Sequence, residues 1–154
     1  VNVLVISDTH GLVGAIQEYM DGAEFDCLIH LGDHNRDVEK LTIPKDVKTI
    51  AVAGNCDESG NEEEVINIEG ISILLCHGHR YGVKNHHGRL LNHAKTLGVS
   101  VVIFGHTHVA FEHEEEDILL LNPGSAGLPR VDDPATALFL RIEESSVLRT
   151  WVVL

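Results

Sequence analysis

Seven side chains able to hold a metal ion fall in five short clusters: Asp8-Thr9-His10, Gly32-Asp33, Gly54-Asn55, His77-Gly78 and Gly105-His106-Thr107-His108. The last cluster is the densest. With an extended backbone there, His106 and His108 project to one side, their Cα atoms roughly 6.5 Å apart. That separation suits one shared metal, or one imidazole on each of two metals about 3.5–4 Å apart. Gly105, just before the pair, would let backbone and metal come close. Carboxylate, imidazole and amide oxygen are donors for borderline-hard divalent ions such as Mn²⁺, Fe²⁺, Co²⁺, Ni²⁺ or Zn²⁺. No cysteine is needed, which argues against a closed structural zinc site. Seven donors exceed what one tetrahedral ion takes, so two ions bridged by a carboxylate are expected. With Asp8 and Asp33 ionised, two such ions leave a local excess of about +2, enough to draw in an anion. They also lower the pKa of a bridging water enough to supply hydroxide near neutral pH. An aspartate after a strand is ordinarily a turn or cap residue. Five such clusters at successive strand ends call for another explanation.

The clusters need elements to position them. Asn2 to Ser7, Asp26 to Leu31 and Val47 to Ala53 read as buried strands, each running into one of the first three clusters. Leu12 to Met20 reads as a helix with Val13, Ile16 and Met20 on one stripe. Asn35 could cap a short helix carrying Val38 and Leu41. Glu64 to Ile68 and Ile71 to Leu75 form a hairpin around Glu69-Gly70, and the second strand leads into His77. His86 to Leu97 reads as a helix with Leu90, Leu91, Ala94 and Leu97 inward and Gly98 as its cap. Val99 to Phe104 is an apolar run leading into the histidine pair. Two further hairpins follow, one around Glu115-Glu116 and one at Glu143 to Ser146, and Asn122-Pro123-Gly124-Ser125 reads as a turn. Strands alternating with helices, polar clusters at the strand ends, indicate a layered α/β fold with its ligand site beyond those ends.

Composition narrows the class. At 154 residues and 44% hydrophobic content with 5% aromatics, one domain with an aliphatic core is expected over residues 1–154. No apolar run has the length of a membrane span. The stretch Val1 to Ile6 lacks the basic start of a signal peptide, so a cytoplasmic location and no membrane association are expected. Three cysteines without a CxxC argue against a disulfide framework, and Cys27 and Cys76 sit in core-like runs. A net charge of −13 speaks against general nucleic-acid binding, so an anionic substrate has to be attracted locally.

Taken together and in order, Asp8-x-His10, Gly32-Asp33, Gly54-Asn55, His77 and Gly105-His106-x-His108 resemble the calcineurin-like metallophosphoesterases across Asp8 to His108. The short length, Gly54-Asn55-Cys56-Asp57, His77-Gly78-His79 and Asn122-Pro123-Gly124-Ser125 look like the small YfcE-type phosphodiesterases. That resemblance implies a four-layer α/β/β/α sandwich with two mixed sheets and a dimetal site at the sheet ends. Carried over position by position, Asp8, His10 and His108 would hold one metal, Asn55, His77 and His106 the other, and Asp33 would bridge. The implied cofactors are two divalent ions, Mn²⁺ first, with Ni²⁺, Co²⁺, Fe²⁺, Zn²⁺ or Mg²⁺ as substitutes. The implied reaction is in-line attack of a bridging hydroxide on a small phosphate ester, with Asp33, Asn55, Cys56 and His79 as the catalytic set. Cys56 departs from the family pattern, in which a histidine often follows the asparagine. A thiol of pKa about 8.5 is a weaker proton donor than imidazolium near neutrality, which favours diesters over monoesters. His79 and Arg80 are candidates to touch substrate phosphate. Asn35 and Arg36 are expected outside the site, His34, His86, His87 and His93 at the surface, and Glu114 to Asp117 in a solvated loop. The resemblance also points to a homodimer or higher homo-oligomer. The alternatives are a phosphomonoesterase, or a catalytically silent protein-binding scaffold of the same fold, as a retromer subunit is.

Overall fold

The inner strands are apolar on both faces because they are covered on both faces. In β1 (Asn2–Ile6), Val3 and Val5 enter one core while Leu4 and Ile6 enter another. The same split recurs in β2 (Cys27–His30), β5 (Ile71–Cys76) and β6 (Val101–Phe104). The computed structural model describes residues Val1–Leu154. It contains two five-stranded mixed sheets whose inner faces meet in an aliphatic core of Val3, Val5, Ile29, Ile73, Leu75, Ile103, Leu121 and Leu138 among others. Helix α1 (Gly14–Asp21) covers the outer face of one sheet through Ile16 and Met20. Helix α2 (Gly88–Leu97) covers the other through Leu90, Leu91 and Ala94. The result is the expected α/β/β/α sandwich.

In the first sheet β1, β2 and β3 (Lys48–Ala51) run parallel, while β9 (Thr136–Glu143) lies antiparallel to β1 and β10 (Ser146–Val153) antiparallel to β9. In the second, β5, β6 and β8 (Ile118–Pro123) are parallel, flanked by antiparallel β4 (Glu63–Ile68) and β7 (Ala110–Glu115). The parallel strands end at one edge of the molecule, and all five clusters are found there.

Several expectations need adjusting. All three hairpin turns are two-residue turns with both residues at positive φ, the geometry that matches strand twist. The middle one is Glu116-Asp117, one residue later than read from sequence. Asn35 does not cap a helix. His34 stands before a 3₁₀ segment over Asn35–Lys40, and the Asn35 amide instead donates to the Ser59 carbonyl. Helix α1 begins at Gly14 because Leu12 is spent in a turn, its N–H donating to the Thr9 carbonyl. Leu97, expected inward, is exposed at the end of α2. Gly98 does cap that helix, in the left-handed conformation. Asn122-Pro123 is no free turn: both residues close β8 and are buried.

Candidate metal centre

After β1, β2 and β6 the chain turns back sharply. Asp8, His10, Asp33, His34, His106 and His108 all have positive φ, between 47° and 71°. Side chains other than glycine rarely adopt this conformation, and it carries strain. His106 and His108 are therefore not on an extended strand, and they converge because the backbone curls after β6. The glycines are there for close packing. A Cβ on Gly32 would stand 2.6 Å from the Gly54 backbone nitrogen, and one on Gly105 would collide with Ser7 Oγ and the Asp8 carboxylate. The sequence-based reason for Gly105, access for a metal, gives way to this one.

The turns bring two donor groups together. Asp8, His10, Asp33 and His108 form one, and Asp33, His77 and His106 the other, with the donor atoms of each within 4.8 Å of one another. Asp33 belongs to both. Its Oδ2 lies 3.6 Å from His10 Nε2 and its Oδ1 3.4 Å from His77 Nε2. Asp8 Oδ1 is 3.3 Å from His108 Nε2 and 4.0 Å from His10 Nε2. His106 Nδ1 and His77 Nε2 face each other at 3.2 Å.

These residues fit a metal. Asp8 Oδ1 and His10 Nε2 are buried with no hydrogen-bond partner, a costly state unless a cation satisfies them. His77 Nδ1 donates to the Leu31 carbonyl at 2.9 Å and His108 Nδ1 to the Leu128 carbonyl at 2.5 Å. Each bond leaves the Nε2 lone pair free toward the site, the usual orientation of a metal-binding imidazole. The other Asp8 oxygen accepts from Ser7 Oγ and from the His106 N–H, which ties the first and last clusters together.

The charges are strongly coupled. Burial opposes ionisation of Asp33, but His77 and the Cys56 N–H outweigh it and hold its carboxyl far below the ordinary range. Burial is likewise outweighed at Asp8 by His108, His77 and Ser7, so its pKa falls. Burial also opposes charge on His77, yet Asp33 and Asp8 raise its pKa. His106 drops to about 4, through burial first and then the nearby His77 and Lys84 charges. Its imidazole is neutral at pH 7 and free to donate a lone pair.

Asn55 and Cys56 follow β3 beside Asp33. The Cys56 N–H donates to Asp33 Oδ1 at 3.0 Å, and the Asn55 amide lies 3.7 Å from Cys56 Sγ. Cys56 is exposed, its thiol pKa raised by partial burial and then by Asp33. With His34 it lines a groove of about 530 Å³ that Arg36, expected outside the site, also reaches. His34 is exposed, its ring 5.0 Å from that of His10. His79 stacks obliquely 5.4 Å from His77, with a buried, unpartnered Nδ1. Arg80 is committed elsewhere, to an ion pair with Glu62 at 2.6 Å.

Four residues support the site; Asp57, Asn122 and Ser125 lie in the motifs that carry the family resemblance, but their bonds are not read from sequence, and His30 is not singled out at all. The Asp57 carboxylate accepts from the backbone N–H groups of Asp33, Asn35 and Gly54, which clamps the second cluster to the third. Asn122 Nδ2 donates to the Gly105 carbonyl, and Ser125 Oγ to the Asp8 carbonyl. Buried His30 joins the first two clusters through Thr9. Asp57, two residues after Asn55, was the one within reach of sequence, as an Asx turn residue.

Comparison with known proteins adds four findings. A family model described as the calcineurin-like phosphoesterase superfamily domain matches residues 1–145. The probable metallophosphoesterase YsnB of Bacillus subtilis is 35% identical over 149 residues, covering 94% of this chain and 86% of that protein. The phosphodiesterase YfcE of Escherichia coli is 25% identical over 175 residues, covering 95% and 90%. Among solved structures, wild-type Vps29 of Entamoeba histolytica complexed with Zn²⁺ superposes with a TM-score of 0.77 at 25% identity, covering 99% of both chains.

Proposed function

This chain belongs to the calcineurin-like phosphoesterase superfamily, and from that premise we propose that it is a phosphodiesterase working with two divalent metal ions, Mn²⁺ first among them. Asp8, His10 and His108 would hold one ion, His77 and His106 with the exposed Asn55 the other, and Asp33 would be shared between them. The observation that carries this reading is the place of the Asp33 carboxylate in both donor groups, one oxygen turned toward His10 and the other toward His77. Bound there, the two ions would supply hydroxide near neutral pH and offset the negative charge that develops on the phosphoryl oxygens.

The chain's own residues do the rest. The Leu31 and Leu128 carbonyls orient His77 and His108, and Asp57 fixes the loop that carries Asp33. His79 reaches the rim beside His77 and His106, where its ring can meet a phosphate oxygen. The groove beside Cys56 and His34 has room for a leaving group. Because the Cys56 thiol stays protonated and neutral at pH 7, proton donation to a poor leaving group is weak there. Diesters with a stable leaving group are therefore preferred to monoesters.

The test is direct. Chelator-treated protein reloaded with Mn²⁺ takes up two ions per chain and hydrolyses bis(p-nitrophenyl) phosphate faster than p-nitrophenyl phosphate. Asp33→Asn lowers kcat on the diester by at least about 100-fold, since even residues that only support a ligand are worth 10–100-fold. The similarity to Vps29 keeps a protein-binding scaffold as the second reading. Metal uptake without turnover of either ester would favour it.

A further inference from the structure

One cavity differs from the others in charge. It holds about 200 Å³ and lies against Thr107, the residue between His106 and His108. Lys84 and Arg130 line it and no carboxylate does, whereas the four other principal cavities each carry acidic residues. In a chain of net charge −13, a cavity beside the site whose charged side chains are all basic has to be built locally. Lys84 is exposed and makes no ion pair. Arg130 donates through Nε to the Thr107 carbonyl at 3.0 Å, and its two terminal amino groups have no partner. Helix α2 begins at the same place, with His87 as its cap residue, no side-chain cap bond and no acidic residue in its first turn. Its first N–H groups add positive potential. The walls are rigid: the His87 ring stacks on Phe111 at 4.6 Å, and Phe104 packs edge-on behind. Lys84 is also near enough to His106 to disfavour charge on that imidazole, so cavity and site share one field.

We propose that this cavity is a subsite for a second anionic group of the substrate, a terminal phosphate carried on the arm of the diester that is not cleaved. The volume is below the roughly 300–1,000 Å³ of pockets that hold drug-sized ligands, so it takes a small compact group and not a ring system. Lys84 and the terminal amino groups of Arg130 supply charge-assisted hydrogen bonds, Arg130 in forked geometry. The scissile phosphate sits over the metal-binding side chains while the second phosphate is held one residue away, beyond Thr107. This inference rests on the phosphodiesterase reading and narrows it to diesters that bear an additional phosphate.

Two measurements test it separately from that reading. The first uses the full chain stripped of metal, with inorganic phosphate as the probe and titration calorimetry at low salt. Wild type binds phosphate, and Lys84→Gln/Arg130→Gln binds it at least about 10-fold more weakly. Lys84→Gln alone breaks no internal contact, so a partial loss in that variant, with unchanged circular dichroism, excludes misfolding as the cause. Absence of binding in wild type, or undiminished binding in the double variant, overturns the subsite whatever the enzyme turns over. The second uses the Mn²⁺-loaded protein and three p-nitrophenyl diesters, whose other arm ends in phosphate, carboxylate or methyl. The kcat/KM ratio of the phosphate-armed to the methyl-armed ester falls about 10-fold in the double variant, and an unchanged ratio overturns the proposal. A carboxylate arm that gains as much as the phosphate arm overturns the assignment to phosphate. Failure to hydrolyse any of the three defeats the phosphodiesterase reading and leaves the calorimetric result to decide the subsite.

Discussion

Cys56 is the residue whose identity matters most beyond the metal-binding set. Its backbone N–H donates to Asp33, so its side chain stands at the mouth of the site while its main chain helps to fix the carboxylate shared by the two donor groups. The raised thiol pKa means that this position carries no charge at neutral pH. A histidine there would place a proton donor of pKa near 6.5 beside the leaving group, and positioned general acids contribute about 10²–10⁴-fold. Cys56→His is accordingly expected to raise the ratio of monoester to diester hydrolysis by 10-fold or more, read from paired kcat/KM values on the two nitrophenyl esters. The backbone bond to Asp33 survives the substitution, so metal content stays the same in both proteins. An unchanged ratio would remove Cys56 from leaving-group chemistry.

The elements are held in register by contacts that no local pattern announces. Thr9 follows β1, His30 ends β2 and Asp37 lies in the 3₁₀ segment, yet the three form one buried chain. The Gly32 N–H donates to His30 Nδ1 at 3.1 Å, His30 Nε2 then donates to Thr9 Oγ1 at 2.8 Å, and Thr9 Oγ1 donates to Asp37 Oδ2 at 2.6 Å. The neutral imidazole satisfies every bond, whereas a proton on Nδ1 would break the one to Gly32. Burial takes the His30 pKa down to about 4. Between that value and the unfolded value near 6.5, the unfolded chain binds a proton that the folded chain refuses. The contribution is complete above pH 6.5 and is lost as pH falls toward 4, a change of about 3 kcal/mol. His30→Gln keeps a donor and an acceptor but cannot titrate. Urea unfolding of the metal-free proteins at pH 7.0, 5.5 and 4.5 is expected to show a steeper decline in wild type than in His30→Gln, and parallel declines would contradict the role. The same network shows where sequence reading stops. The strands, hairpins and helices were legible because burial on two faces writes long apolar runs and two-residue turns select their own residues. The ligand-type clusters were legible because five of them recur at successive strand ends, although an aspartate there is ordinarily a turn or cap residue. His30 was invisible because it lies in an apolar run where a histidine looks like any core residue. Asp57 and Asn122 stood in recognised motifs, but their clamping bonds were not legible because the partners are backbone groups, the Asp33 N–H and the Gly105 carbonyl, which carry no sequence identity.

For the whole molecule, the two donor groups straddle the two sheets. Asp8 and His10 follow β1 and Asp33 follows β2 of one sheet, while His77 and the His106–His108 pair follow β5 and β6 of the other. Besides the aliphatic core, then, the sheets meet in a patch of carboxylates and imidazoles with unpartnered buried atoms, on a chain that already carries −13. Two divalent ions would convert that patch from an unsatisfied contact into a link between the sheets. Ligands that bind only the folded state stabilise it by about 2.7 kcal/mol at 100 times their dissociation constant. In a domain of this size each kcal/mol raises Tm by roughly 2–4 °C. Saturating Mn²⁺ or Zn²⁺ is therefore expected to raise Tm by roughly 5–10 °C over protein held in chelator. Asp33→Asn is expected to lose most of that rise, because its carboxylate belongs to both donor groups, one in each half of the patch. His79→Ala is expected to keep it, because that ring only borders the donors. Differential scanning calorimetry with and without metal gives the comparison within each variant, so any effect of the substitution on the metal-free fold cancels. An equal rise in wild type and Asp33→Asn would mean that the ions sit elsewhere and that the two sheets are joined by their apolar faces alone.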